Sequence, residues 1–116
     1  MENNIFEKIK HINEFWNEYW LAREFAKVLG YKDFWNFENV VKKAKIACEN
    51  SKQNIADHCG DITEMVKLWL NTQKKFPSWN LSRYACYLII QNADPSKEIV
   101  ALWQTYFAIQ TRKQLI

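Results

Sequence analysis

The residues best equipped for chemistry in this sequence are His58 and Cys59, flanked by Asp57 and Asp61. A nucleophilic thiol needs a base within hydrogen-bond reach and a carboxylate to orient that base. Neighbours in sequence rarely meet in that geometry and no motif surrounds these four, so they read as a polar loop. A zinc site drawn from His11, His58 and Cys59 fails on number, because zinc takes four convergent ligands at recognisable spacing. Asp57, Asp61 and Glu64 have the chemistry to bridge magnesium ions for phosphodiester cleavage. No companion lysine or histidine motif accompanies them, and a solvated loop is the simpler account. Gly30 and Gly60 stand alone, so no glycine-rich loop cradles a phosphate. These absences point to a non-enzymatic protein with neither metal nor cofactor.

Cationic side chains offer a different chemistry. Lys42, Lys43 and Lys45 lie together in VKKAKIACEN, where ammonium groups contact phosphate without reading sequence. Glu38 and Glu49 offer them ion-pair partners on the same helix, which would make the run an ordinary solvated face. Arg83 stands beside Tyr84 and near Tyr87, a combination that stacks on or pairs with a nucleic-acid strand, although such aromatics more often serve the core. Sixteen basic against thirteen acidic residues give a net charge of +3. That balance permits a polyanionic partner without identifying one.

The elements that must position these groups are legible in part. Ile5, Ile9 and Ile12 fit a helical spacing, but β-favouring residues are mixed in, and the Asn-rich stretch from Asn13 to Asn17 can turn a hairpin onto Glu18 to Trp20. Leu21, Phe25, Val28 and Leu29 form one stripe, and Gly30 follows where a left-handed cap belongs. A second helix runs from Phe34 to Asn50 with Phe37, Val40, Val41, Ala44, Ala47 and Cys48 inward, so the two helices form a helix-turn-helix-like pair. Ser51 to Asp61 reads as loop. ITEMVKLW fits either a helix or a strand returning through Lys74 to Trp79, and Pro77 would confine such a strand to a sheet edge. Leu81, Tyr84, Ala85, Leu88 and Ile89 make a buried stripe. Asp94 and Pro95 then cap and open a last helix with Ile99, Leu102, Trp103, Tyr106 and Phe107 inward, closed against its dipole by Arg112 and Lys113.

With 48% apolar residues and no linker or repeat, positions 1–116 are expected to build one core and one domain. Cys48, Cys59 and Cys86 are odd in number and unpaired by motif, so they read as reduced thiols. No stretch approaches the roughly 20 apolar residues of a membrane span, and a cytoplasmic location is expected.

Several long strings resemble the DNA-damage-inducible protein D family, whose N-terminal half is similar to the Bro-N domain of viral and phage proteins. They are EYWLAREFAKVLGY, NFENVVKKAKIACENS, ADH with DITEMVKL, LSRYACYLIIQNADPSKEIVAL and QTYFAIQTRKQ, and together they run almost end to end. The resemblance implies an α+β, helix-rich domain with an N-terminal β-hairpin, the helix-turn-helix-like pair, a second short hairpin and two C-terminal helices. It implies an SOS (DNA-damage) response module that binds DNA, single-stranded DNA above all, or modulates a RecA-type recombinase on it; the alternative is a protein-interaction or antirepressor-type domain without DNA contact. Lys42, Lys43, Lys45, Ser82, Arg83, Arg112 and Lys113 lie in the matching strings and are the candidate DNA or partner contacts. The family continues into a second region, so this chain is expected to correspond to its N-terminal part.

Six tryptophans against two glycines is an unusual balance when glycine is ordinarily about 7% of a chain. Trp16 and Trp69 fall in turn segments where the family is expected to carry glycine, and Trp35 and Trp103 also look foreign to their contexts, the latter where a small residue is expected between helices. Source-organism UGA codons decoded as glycine would account for both counts.

Overall fold

The computed structural model describes the backbone of residues 3–115 and the side chains of 5–109. The ambiguous N-terminal segment resolves into both of its readings in turn. Helix α1 (Asn3–Lys8) precedes a hairpin of β1 (His11–Ile12) and β2 (Glu18–Leu21), with His11 opposite Tyr19. The Asn13 side chain accepts from the Phe15 and Asn17 amides, and the Trp16 amide donates to the Asn13 carbonyl, closing the loop. Trp16 itself has φ 66 and is 87% exposed. A left-handed residue in a short hairpin loop is a position that favours glycine, so the backbone at residue 16 has the conformation for which glycine is expected.

Helix α2 (Ala22–Val28) ends as expected. Gly30 has φ 83, its amide donates to the Lys27 carbonyl, and the Tyr31 amide reaches back to Ala26, both at 3.0 Å. That pair of bonds satisfies two terminal carbonyls and needs a residue tolerant of positive φ. Helix α3 (Phe34–Asn50) starts on Asp33, whose carboxylate accepts from the Trp35 amide, and buries Phe37, Val40, Val41, Ala44 and Cys48. These two helices are the expected helix-turn-helix-like pair.

The segment 51–61 departs from its reading as loop. Asn54 caps one turn of helix, α4 (Ile55–His58), and β3 (Cys59–Lys67) begins inside the same segment. β3 pairs with β4 (Gln73–Leu81) along its full length, so the second hairpin is long rather than short. The two hairpins share one antiparallel sheet of order β1-β2-β4-β3. β2 borders β4 only at Asn80 and Leu81, which leaves Pro77 where the strand has a neighbour on one side alone. The left-handed residues of the β3–β4 turn are Leu70 (φ 60) and Asn71 (φ 61), so the glycine expected at Trp69 has no conformational basis there.

Helix α5 (Arg83–Asn92) is capped by Ser82, and its buried stripe is Ala85, Cys86, Ile89 and Ile90; Tyr84 and Leu88 are only half-buried. Asp94 accepts from the Ser96 amide and organises a turn, and α6 (Glu98–Leu115) starts after it rather than at Pro95. In α6 the inward residues are Val100, Trp103 and Phe107, while Leu102 is exposed. The buried side chains form one cluster around Phe6, Trp20, Phe25, Phe37 and Trp103. Trp103 is fully enclosed there, yet among the described residues its Nε1 has no hydrogen-bond partner, a cost that a small residue would not carry.

Releasing the strained backbone at residue 16 should stabilise the protein. Trp16→Gly is expected to gain about 1 kcal/mol, read as a higher melting temperature, because a non-glycine residue in the left-handed region costs roughly that much. Codons settle the recoding question: UGG at both 16 and 69 overturns it.

Candidate nucleic-acid interface

Helix α3 displays its lysines on two sides. At about 3.6 residues per turn, Lys42 and Lys45 project together and Lys43 is turned away from them. Among the described residues none of the three forms an ion pair, so Glu38 and Glu49 do not neutralise them. Lys43 lines a separate groove between the α2–α3 and α5–α6 turns, together with Asn36, Asn39 and Asn92. Lys42 lies 5.5 Å from the ring of Trp35, which is 59% exposed, and Lys45 lies 4.7 Å from Trp79.

From Trp79 a strip of rings and cations continues across the surface. Phe34 packs against Trp79 with centroids 6.2 Å apart. The Arg23 guanidinium lies 3.9 Å above Phe34 and 5.7 Å from Phe76, and Lys74 lies 5.6 Å from Phe76. Arg23 is held by donating to the Pro77 carbonyl at 3.1 Å. The strip therefore alternates Lys45, Trp79, Phe34, Arg23, Phe76 and Lys74, drawn from α2, α3 and β4. Phe34 and Trp79 are half-buried against the core and Arg23 is held on Phe34 and Pro77, so what the strip offers a polyanion is the exposed Trp35 ring and the lysine ammonium groups. Sequence reading missed Arg23, Phe34, Phe76, Lys74 and Trp79 as a group, since they lie on three elements; the only local signal was aromatic and basic residues side by side in PSWN and KKF.

Two other candidates serve the fold instead. Arg83 donates from Nε and Nη2 to Glu18, at 2.7 and 3.0 Å, and from Nη1 and Nη2 to Glu7, at 2.9 and 3.1 Å. Its guanidinium also covers Trp20 and Phe6 at 5.1 and 5.4 Å. With its donor edges engaged by two carboxylates it is not free for phosphate, which corrects its expected role. Hydrogen bonds from Arg83 hold the Glu7 and Glu18 carboxyls below their ordinary range, against a smaller opposing effect of burial, and the same bonds raise the Arg83 pKa. Ser82 accepts from the Ala85 amide at 3.0 Å and meets His58 Nδ1 at 2.7 Å, so its hydroxyl caps α5 and anchors α4. Arg112 and Lys113 fall in α6, with their side chains outside the described residues.

The His58–Cys59 pair does not assemble a nucleophile. His58 faces Ser82 and Tyr84, while Cys59 is buried, and burial pushes its thiol up to about 11. A thiol kept protonated is a poor nucleophile at neutral pH. Cys48 and Cys86 are likewise free, buried and raised by burial. Among the described residues no three His, Cys, Asp or Glu side chains converge on a possible metal position. Among the same residues no helix is long and apolar enough to cross a membrane.

Comparison with known proteins adds two findings. Residues 8–108 match the family described as BRO family, N-terminal domain. DNA damage-inducible protein D of Escherichia coli (strain K12) is 50% identical over 109 residues, which cover 94% of this chain and 40% of that relative. This chain thus spans well under half the length of the relative it matches. No solved structure matches.

The Arg83 contacts predict an acid-side loss of stability. Glu7 and Glu18 have lowered values in the folded state, so their contribution is complete above the ordinary carboxyl value of 4.5 and fades as pH falls through the lowered one. Arg83→Met should cost about 1–2 kcal/mol, less than a fully buried pair because the groups are partly solvated. Denaturant melts over a series of pH values check it: the gap between the two proteins should be full at pH 7 and shrink progressively as pH falls below 4.5.

Proposed function

The chain belongs to the BRO-family N-terminal domains, and on that premise we propose that it is a non-catalytic module of the DNA-damage response that binds DNA. The relative's name, DNA damage-inducible protein D, supports the damage context. The observation that carries DNA contact is the strip of Lys45, Trp79, Phe34, Arg23, Phe76 and Lys74, extended at one end by Trp35 and Lys42. Lysines position the backbone and rings receive bases. A surface of this kind favours single-stranded DNA, whose bases are free to stack. It is also suited to a strand held in a RecA-type recombinase filament, where this domain would modulate the recombinase. Such a role belongs in the cytoplasm and requires no cofactor. Single-domain organisation across 1–116 is part of the same reading.

A second reading is a protein-interaction or antirepressor-type domain. Phe15 and Trp16, 73% and 87% exposed at the tip of the first hairpin, favour it, since exposed apolar side chains side by side mark contact surfaces.

Binding of a labelled single strand at low and moderate salt tests the first reading. The Lys42→Glu, Lys45→Glu variant should bind at least tenfold more weakly, with a salt slope shallower by about 0.7 for each phosphate contact removed, and Lys43→Glu, on the other side of α3, should have little effect. Trp35→Ala should cost about 1–3 kcal/mol of affinity if a base stacks there. Wild-type protein that associates with neither a single strand nor a duplex sinks the reading, and a partner captured equally by the charge-reversed variant favours the second.

A further inference from the structure

The β3–β4 hairpin beyond Phe76 is the part of the molecule that the core does not explain. From Met65 to Lys75 every residue except Val66 is exposed. β2 borders β4 only at Asn80 and Leu81, and among the described residues β3 has no strand on its outer side. The result is a two-stranded ribbon that flanks α2 across a groove at Met65, Val66 and Lys67 and stands in solvent from Leu68 to Lys75. The whole molecule measures 52 Å along its longest axis against 30 and 27 Å across.

Charge singles out the same segment. Residues 65–75 contain Lys67, Lys74 and Lys75 and no acidic residue. Sixteen basic residues less these three leave thirteen, equal to the thirteen acidic ones, so the ribbon carries the chain's entire net charge of +3. By contrast α3, residues 34–50, sets Glu38 and Glu49 against its three lysines.

The tip is apolar and held in shape. Trp69 is 82% exposed and Leu70 78% exposed. Leu70 and Asn71 both have left-handed φ, the Thr72 amide donates to the Trp69 carbonyl, and the Leu68 amide donates to Thr72 at 2.6 Å. Two consecutive left-handed residues define the hairpin turn that matches strand twist, so the tip has a defined turn geometry. Large apolar groups held in water at the end of a basic ribbon contribute nothing to the core.

We propose that this arm enters a groove of duplex DNA and that Trp69 and Leu70 wedge between stacked base pairs. A major groove about 12 Å wide admits a two-stranded ribbon, and apolar side chains inserted at a base step unstack and kink a duplex. Lys67, Lys74 and Lys75 then neutralise flanking phosphates. This rests on the reading above that the partner is DNA and on codon 69 encoding tryptophan; it assigns the arm to duplex through Lys67, Lys75 and the tip, with Lys74 shared with the strip of rings.

The test uses the full chain with a duplex carrying 2-aminopurine at internal steps and dyes at both ends, alongside the same single strand. Wild type should bind the duplex, raise 2-aminopurine fluorescence and shorten the end-to-end distance. Lys67→Glu with Lys75→Glu, which leaves Lys74 of the strip in place, should weaken duplex binding several-fold and flatten its salt slope by about two, at about 0.9 per phosphate. Trp69→Ser with Leu70→Ser should keep duplex affinity within a few-fold and lose both the fluorescence rise and the bend. All substitutions are on exposed positions, and unchanged melts confirm folding. The proposal is overturned if the arm-reversed protein binds duplex as wild type does, if the tip variant bends DNA as wild type does, if anionic phosphatidylserine vesicles displace the duplex from the arm, or if the tip variant abolishes self-association instead. Binding to the single strand alone overturns the arm proposal and leaves the DNA reading standing; binding to neither form removes both.

Discussion

One guanidinium holds the frame on which everything else is mounted. Arg83, the first residue of α5, bonds the carboxylates of Glu7 on α1 and Glu18 on β2, so three elements distant in sequence meet at one planar group. Five donors in a fixed fork suit this task in a way that a lysine's single ammonium does not. Beneath it, Trp20 stacks on Phe6 at 4.4 Å and donates from Nε1 to the Phe6 carbonyl at 2.8 Å. The charge therefore lies on a ring stack that is itself hydrogen-bonded.

Fixing β2 in this way fixes the sheet, because β2 joins β4 through Trp20 opposite Leu81 and Leu21 opposite Asn80. Only the last two residues of β4 are needed for that joint. The length of β4 before Phe76, with β3 beside it, then extends away from the core. The same joint brings Trp79 and Phe76 beside α2 and α3, where Arg23 and Phe34 complete the strip of rings and cations. An interior clamp and an exterior surface are thus two consequences of one strand pairing.

Local departures from ideal sequence choice are confined to a few places. Trp16 occupies a left-handed backbone position, Leu70 and Asn71 occupy two more, and Lys52 (φ 68) stands where a helix would ordinarily end on glycine. Among the described residues the buried Nε1 of Trp103, Nε of Arg23 and Oδ1 of Asn80 have no hydrogen-bond partner. Each is a cost that the packed core can carry, since the aromatic cluster around Phe6, Phe25 and Trp103 buries large apolar area.

Periodicity determined the longer helices: of the α3 stripe Phe37, Val40, Val41, Ala44 and Cys48 are buried and Ala47 is only half-buried, the Gly30 cap is as expected, and the one-turn α4 in the expected loop had no periodic signal to give it away. The strand identity of ITEMVKLW was undecidable from its own pattern, because a short apolar alternation fits both periods, and family resemblance rather than spacing pointed to it. The sequence also named Lys42, Lys43 and Lys45 as cations on a helix, but could not say that they lack ion pairs or that Lys43 faces elsewhere. Arg83 beside tyrosines read as a nucleic-acid contact because nothing local reveals carboxylates at positions 7 and 18. Only tertiary structure decided which cations are consumed by the fold and which are left for a partner, since ion pairing and ring stacking depend on distances that chain separation does not encode.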